Sequence, residues 1–254
     1  MKTHLLLTCG AVAAILFAPA PTPAAWFDFL RPSASSNQVA SASGLLSVAG
    51  LSEEQVTKGL KQALANGVQH SITNLGRQGG FLSNLNVRIP VPEKLATAER
   101  TLRMLKQDQV ADEFIATMNH AAEAAVPEAG AIFHDAITNM TLADAKSILK
   151  GPEDAATQYF KKTGEARIQE KMLPIIQQAT AKTGVTASYK KLMARAAPAT
   201  ALFGSAGADL NVDRYVTQKA SDGLFKVIAE EEKRIRQNPA ARTTELLQKV
   251  FGAK

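Results

Sequence analysis

Proton transfer needs a group that titrates near neutrality beside one that orients it, so histidines and carboxylates at helical spacing come first. His120 and Glu123 stand three residues apart, and His134-Asp135 follow beyond Pro127. Residues three apart share a helix face, so His120, Glu123, His134 and Asp135 can be drawn together as an acid/base or metal cluster. They lack the two histidines four apart that a zinc-protease helix carries, and surface or capping roles account for them more simply. Asp209-x-Asn211-x-Asp213 spaces oxygens like the first half of a calcium loop, but Arg214 stands where glycine is needed and Ala220 where a glutamate closes the loop. Helix capping by Asn211 or Asp213 is the better account. Gly76-Arg77-Gln78-Gly79-Gly80 has no lysine followed by Ser/Thr and reads as a turn. No serine sits in a nucleophile elbow, and the run Glu230-Glu231-Glu232 most simply forms helical ion pairs with Arg236 and its neighbours. The residues therefore predict no catalytic set, no metal site and no cofactor.

Arg88 is a charge set among apolar residues of a proline-bearing segment. An inward-turned guanidinium needs a carboxylate, because an unpaired buried charge is very costly. Glu123 and Asp144 are the expected partners in a structural salt bridge, with a ligand-binding arginine as the second reading.

The formal net charge is +6, and it is localised. Between Lys146 and Arg195 ten Lys/Arg face four Asp/Glu (Glu153, Asp154, Glu165 and Glu170). Such a stretch favours anionic partners such as phospholipid headgroups or cell-surface polymers, although the interrupting acids also suit ordinary solvated helix faces. Nucleic acid is not expected, because the N-terminus points out of the cytoplasm. Lys2, an apolar stretch from Leu5 to Ala18 and a segment ending Pro23-Ala24-Ala25 have the layout of a secretory leader. The stretch is shorter than the roughly 20 apolar residues that cross a bilayer, so a leader over residues 1–25, cleaved near Ala25, and a periplasmic or secreted product are expected. Cys9 is the one cysteine. Too little precedes it for a lipoprotein site, and without the leader no disulfide or thiol chemistry remains.

Trp26-Phe27-Asp28-Phe29-Leu30 and the Ser/Ala-rich residues after it read as a linker over residues 26–50. Beyond it the apolar residues recur at helical spacing. Ser52 and Gln55 form a capping-box pair ahead of Val56, Leu60, Leu64, Val68, Ile72 and Leu75. The prolines and glycines of Gly79–Pro92 predict an ordered loop with Phe81, Val87 and Ile89 inserted into the core. Helices follow after Pro92, over Asp108–Ala125, and around Ile132–Met140. Thr141-x-x-Asp144 starts another, which Gly151-Pro152 ends before the next begins. Tyr159-Phe160, Ile168–Ala179 and Tyr189–Met193 mark three separate helices, the second with Pro174 inside. Ala196–Leu210 reads as a connection, Val212–Arg236 as a long helix, and Leu246, Leu247, Val250 and Phe251 as a last amphipathic one. No segment beyond the leader reaches a spanning length, so no transmembrane segment is expected there.

Several of these motifs, taken in order, resemble a family. They are Gly79-Gly80-Phe81, Arg88-Ile89-Pro90-Val91-Pro92, Met118-Asn119-His120-Ala121-Ala122-Glu123-Ala124-Ala125, Asp144-Ala145-Lys146-Ser147-Ile148-Leu149-Lys150-Gly151 and Ala155-Ala156-Thr157-Gln158-Tyr159-Phe160. Tyr215-Val216-Thr217, Asp222-Gly223-Leu224-Phe225 and Ile235-Arg236-Gln237-Asn238-Pro239-Ala240-Ala241-Arg242 complete the series. Together they are similar to domain-of-unknown-function family 4197, bacterial exported helical proteins, over about Leu51 to Gly252. The resemblance implies a helical envelope protein of Gram-negative type and supplies no activity, cofactor or catalytic residue. His120 stands where the family often has a basic residue, which weakens any scheme with His120 as an essential base. Arg88, Asn119, Glu123, Asp144, Tyr159, Asp222 and Arg236 are the candidate ligand-binding residues, and equally candidates for buried networks that hold the fold.

The expected fold is all-α, a multi-helix bundle of about eight to ten helices in a single compact domain over residues 51–254. The leading functional expectation is non-enzymatic: binding of an anionic envelope component, an apolar ligand or a protein partner through a helical body with a basic face. The rivals are a hydrolase-like helical enzyme using Glu123 or Asp222 with an arginine or histidine, and a purely structural envelope component.

Overall fold

A computed structural model describes residues 52–183, 185–200 and 211–237. The expected leader, linker and last amphipathic segment lie outside these residues. Every regular element among them is helical, and no strand occurs. Helix α1 is Glu53–Gly76, α2 Ala96–Met104, α3 Asp108–Ala125, α4 Ala129–Thr138 and α5 Leu142–Lys150. Helix α6 is Ala155–Thr183, α7 Val185–Thr200 and α8 Val212–Gln237, with short 3-10 turns at Glu93–Leu95 and Val126–Glu128.

The starts of these helices follow from local chemistry. At α1 the Ser52 hydroxyl accepts the Gln55 amide at 3.2 Å while the Gln55 side chain accepts the Ser52 amide at 2.8 Å, so two orphan donors are satisfied reciprocally. Thr141 and Asp144 do the same for α5. Asn211 caps α8, its side-chain oxygen taking the Arg214 amide at 2.9 Å. This is the capping role, not the calcium role, for that residue; Asp209 lies outside the described residues.

Two boundaries differ from the sequence reading. Tyr159-Phe160 and Ile168–Ala179 belong to one continuous helix, α6, with Pro174 inside it, so the count is lower there than expected. Pro174 is exposed, and on that side water can serve the carbonyl that loses its amide partner. Helix α7 runs to Thr200, past the expected end near Arg195.

The core forms where α6 packs along α8 and α3, with α1 and α4 closing it and α2 and α7 packed beside α3. Val56, Leu60, Leu64, Val68, Ile72 and Leu75 are all buried, as their spacing predicts. Phe133 of α4 meets the ring of Phe160 edge-on at 5.2 Å and that of Phe225 at 5.9 Å. This geometry adds about 1 kcal/mol per pair to the burial of the rings. At the α2–α3 corner Arg103 bridges Glu99, Asp108 and Asp112 at 2.9, 3.3 and 3.0 Å. Hydrogen bonds that it donates to Glu99 and Asp112 hold its pKa above the usual arginine value.

Ser221 on α8 is fully buried and its hydroxyl has no hydrogen-bond partner among the described residues. Burying an unsatisfied hydroxyl costs about 1–3 kcal/mol, and alanine is the better helix former. Ser221→Ala is therefore expected to raise the melting temperature by a few degrees; a lower one in a thermal melt would show that the hydroxyl has a stabilising partner.

Candidate functional site

The densest polar arrangement surrounds the loop between α1 and α2. Gly79 adopts φ 77°, a left-handed turn open to glycine at little cost, and the chain then runs along α3 and α8. Phe81, Val87, Ile89 and Val91 are buried, so the loop is part of the core, as expected. Glu123 on α3 is 4% exposed. One of its oxygens accepts the amides of Phe81 at 3.0 Å and Leu82 at 3.1 Å. The other accepts from His120 Nδ1 at 2.9 Å. A carboxylate only accepts, so His120 carries its proton on Nδ1. One turn earlier, Asn119 takes the Ile89 amide at 2.8 Å and donates to the carbonyls of Ile89 and Ile115 at 3.0 and 2.7 Å.

Helix α8 holds the other side of the loop. Tyr215 donates its hydroxyl to the Pro90 carbonyl at 3.1 Å, and Lys226 donates to the Asn86 carbonyl at 2.8 Å. Between them Gly223 lies under the loop: a Cβ there would stand 2.8 Å from the Phe81 ring, closer than packed atoms allow. Burial raises the Tyr215 pKa above the usual value, with Glu93 adding to it, so the hydroxyl remains a donor.

A second buried carboxylate joins α8 to α6. Glu232 is 6% exposed and accepts the amides of Ala156 and Thr157, each at 2.9 Å, and the Thr157 hydroxyl at 2.9 Å. These are orphan donors at the α6 N-terminus, where the helix dipole favours negative charge. Arg236 completes the group, donating to Glu232 at 2.9 Å and to the Ile148 carbonyl at 2.8 Å. The Glu232–Arg236 ion pair is the one the spacing predicts, but the capping of a distant helix is not. Its signal lies in the sequence all the same: Leu224, Ile228, Glu232 and Ile235 follow one stripe, so a carboxylate occupies an apolar face.

The other candidates are placed one by one. Asp144 serves its own helix start, and hydrogen bonds from the Thr141 side chain and amide lower its pKa. Tyr159 donates to the Ala136 carbonyl at 3.0 Å, and burial raises its pKa. Arg88 is exposed and forms no ion pair among the described residues, so the expected salt bridge to Glu123 or Asp144 is corrected. The loop instead delivers its amides to Glu123, and a backbone donor needs no buried charge. Asp222 is exposed on α8, and no hydrogen bond links it to Glu123. His134 lies 3.8 Å from Asp135, which Arg167 also approaches. No three His, Cys, Asp or Glu residues converge in a metal-holding group among the described residues, and no described helix is long and apolar enough to cross a membrane.

Chemically, Glu123 and Glu232 are anions whose oxygens are filled by the protein's own donors. They fasten a loop and a helix end, and no hydrogen bond links either of them to Asp222 among the described residues. No curated protein and no solved structure matches the chain. Residues 50–252, which contain the whole clamp from Phe81 to Arg236, match the family described as protein of unknown function (DUF4197), and the chain belongs to that family.

Proposed function

We propose that this chain is an exported, non-catalytic helical protein that engages an anionic component of the cell envelope through lysines and arginines of α5–α7. In this reading residues 1–25 are the leader, 26–50 a linker and 51–254 the helical domain. One observation carries it. Lys150, Lys171, Lys182, Lys190 and Arg195 are exposed and have no ion-pair partner among the described residues, whereas Lys146, Arg167 and Lys191 pair with Glu53, Asp135 and Glu113. Exposed unpaired cations repel one another and release that repulsion on meeting an anionic surface. The inward-turned carboxylates favour a binding role over a chemical one, because both buried acids are already committed to fastening backbone.

Association with dextran sulfate, a soluble polyanion, tests the charge argument. Binding is expected to fall steeply as ionic strength rises from about 0.05 to 0.3 M, where screening shortens the reach of exposed charges. The triple variant K171E/K182E/K190E is expected to bind at least about tenfold more weakly at low salt. Equal binding by variant and wild type would remove this reading, and osmotic-shock fractionation that leaves the chain in the cytoplasm would remove export.

A further inference from the structure

Large apolar side chains left in solvent among the described residues include Leu85, Met104, Leu105 and Leu142, and Leu85 is the most exposed at 85%. Its setting differs from that of a frayed tip. The backbone on either side is anchored to α3 through Glu123 and Asn119 and to α8 through Lys226 and Tyr215. Within the loop, Val87 and Arg88 both donate to the Asn84 carbonyl, and the Asn84 side chain accepts the Asn86 amide. A loop held at so many points has no inexpensive motion that tucks Leu85 away.

Cations line the ground beside it. The Lys226 ammonium reaches the Asn86 carbonyl, next to Leu85. Lys219 lies over the ring of Tyr215, whose hydroxyl bonds Pro90, two residues from exposed Arg88. The loop and α8 thus present Arg88, Lys219 and Lys226 together with the apolar tip, with exposed Asp222 and, beside Tyr215, exposed Glu93 as the opposing charges.

We propose that this face, with Leu85 as its inserting residue, docks on a lipid bilayer whose surface carries anionic headgroups. A protein interface of useful strength centres on several buried anchors, whereas a bilayer surface accepts one leucine among spread cations and meets them with diffuse negative charge. This face uses residues other than the exposed cations of α5–α7 that carry the reading above, so the two stand or fall separately.

The test uses the full chain and phosphatidylcholine vesicles with and without phosphatidylglycerol. Leu85→Asp, at a position too exposed to disturb the fold, is expected to weaken association with the phosphatidylglycerol vesicles about tenfold or more and to leave dextran sulfate binding unchanged. Arg88→Glu is expected to weaken it about fivefold. In a chain carrying Trp26→Phe, the tryptophan emission of Leu85→Trp is expected to shift to the blue on phosphatidylglycerol vesicles and stay put on phosphatidylcholine alone. Wild-type association by L85D, or an unshifted emission for L85W, overturns the proposal. So does the loss of a protein partner by L85D with vesicle association intact. Loss of dextran sulfate binding in K171E/K182E/K190E has no bearing on Leu85, so an effect of L85D on vesicles stands on its own.

Discussion

Glu123→Ala is expected to destabilise the folded chain by about 3–5 kcal/mol and to lower its melting temperature by about ten degrees. The reason is asymmetry in hydrogen bonding. With the carboxylate in place the amides of Phe81 and Leu82 donate to one oxygen and His120 to the other. With alanine those amides lose their acceptor in a place water does not readily reach, and each orphaned buried donor costs about 1–3 kcal/mol. Glu123→Gln keeps one acceptor oxygen for the amides and turns a donor toward His120, so its loss should be smaller, about 1–2 kcal/mol. Hydrogen exchange separates this account from general loosening: the Phe81 and Leu82 amides should lose protection in E123A beyond the global loss. A melt unchanged from wild type, with both amides still protected, would show that Asn119 and α8 hold the loop without Glu123.

Glu232→Ala should be the second severe change, at about 3–5 kcal/mol. It removes the acceptor for two amides and a hydroxyl at the α6 N-terminus and takes from the largely buried Arg236 its carboxylate partner. Arg236→Ala leaves Glu232 with its helix-end donors, so it should cost less, about 1–2 kcal/mol. The double variant E232A/R236A should lie close to E232A rather than at the sum, because the second truncation also removes the cation whose carboxylate partner the first took away. Chemical denaturation of the four chains gives the cycle directly. Strict additivity would mean that the pair contributes nothing beyond its separate contacts, and the cap on α6 would have to be valued alone.

These two carboxylates also mark the limit of what could be read beforehand. The buried face of α1 was legible because Val56, Leu60 and Leu64 repeat at helical spacing, and its start because Ser52 and Gln55 carry complementary donors and acceptors three residues apart. The insertion of Phe81, Val87 and Ile89 was legible because an apolar residue in a proline-bearing loop has little to gain in water. Arg88 was misread for a related reason. Its apolar neighbours suggest burial, but the turn at Asn84 sends Val87 and Ile89 inward and leaves Arg88 between them exposed. The unbroken course of α6 was also missed between Phe160 and Ile168, where Gly164 is a weak helix former that packing against Ile132 holds inside the helix.

By itself the order of residues determined the all-α character, the caps at Ser52 and Thr141, and the apolar stripes, since each depends on groups within a turn or two along the chain. Only the tertiary structure decided that Glu123 would receive amides from about forty residues earlier in the chain, that Glu232 would end a helix it does not belong to, and that Leu85 would stand outside. Such outcomes depend on which helix faces which. A carboxylate accepts equally well from any donor that packing brings within 3 Å, so its chemistry alone does not name its partner.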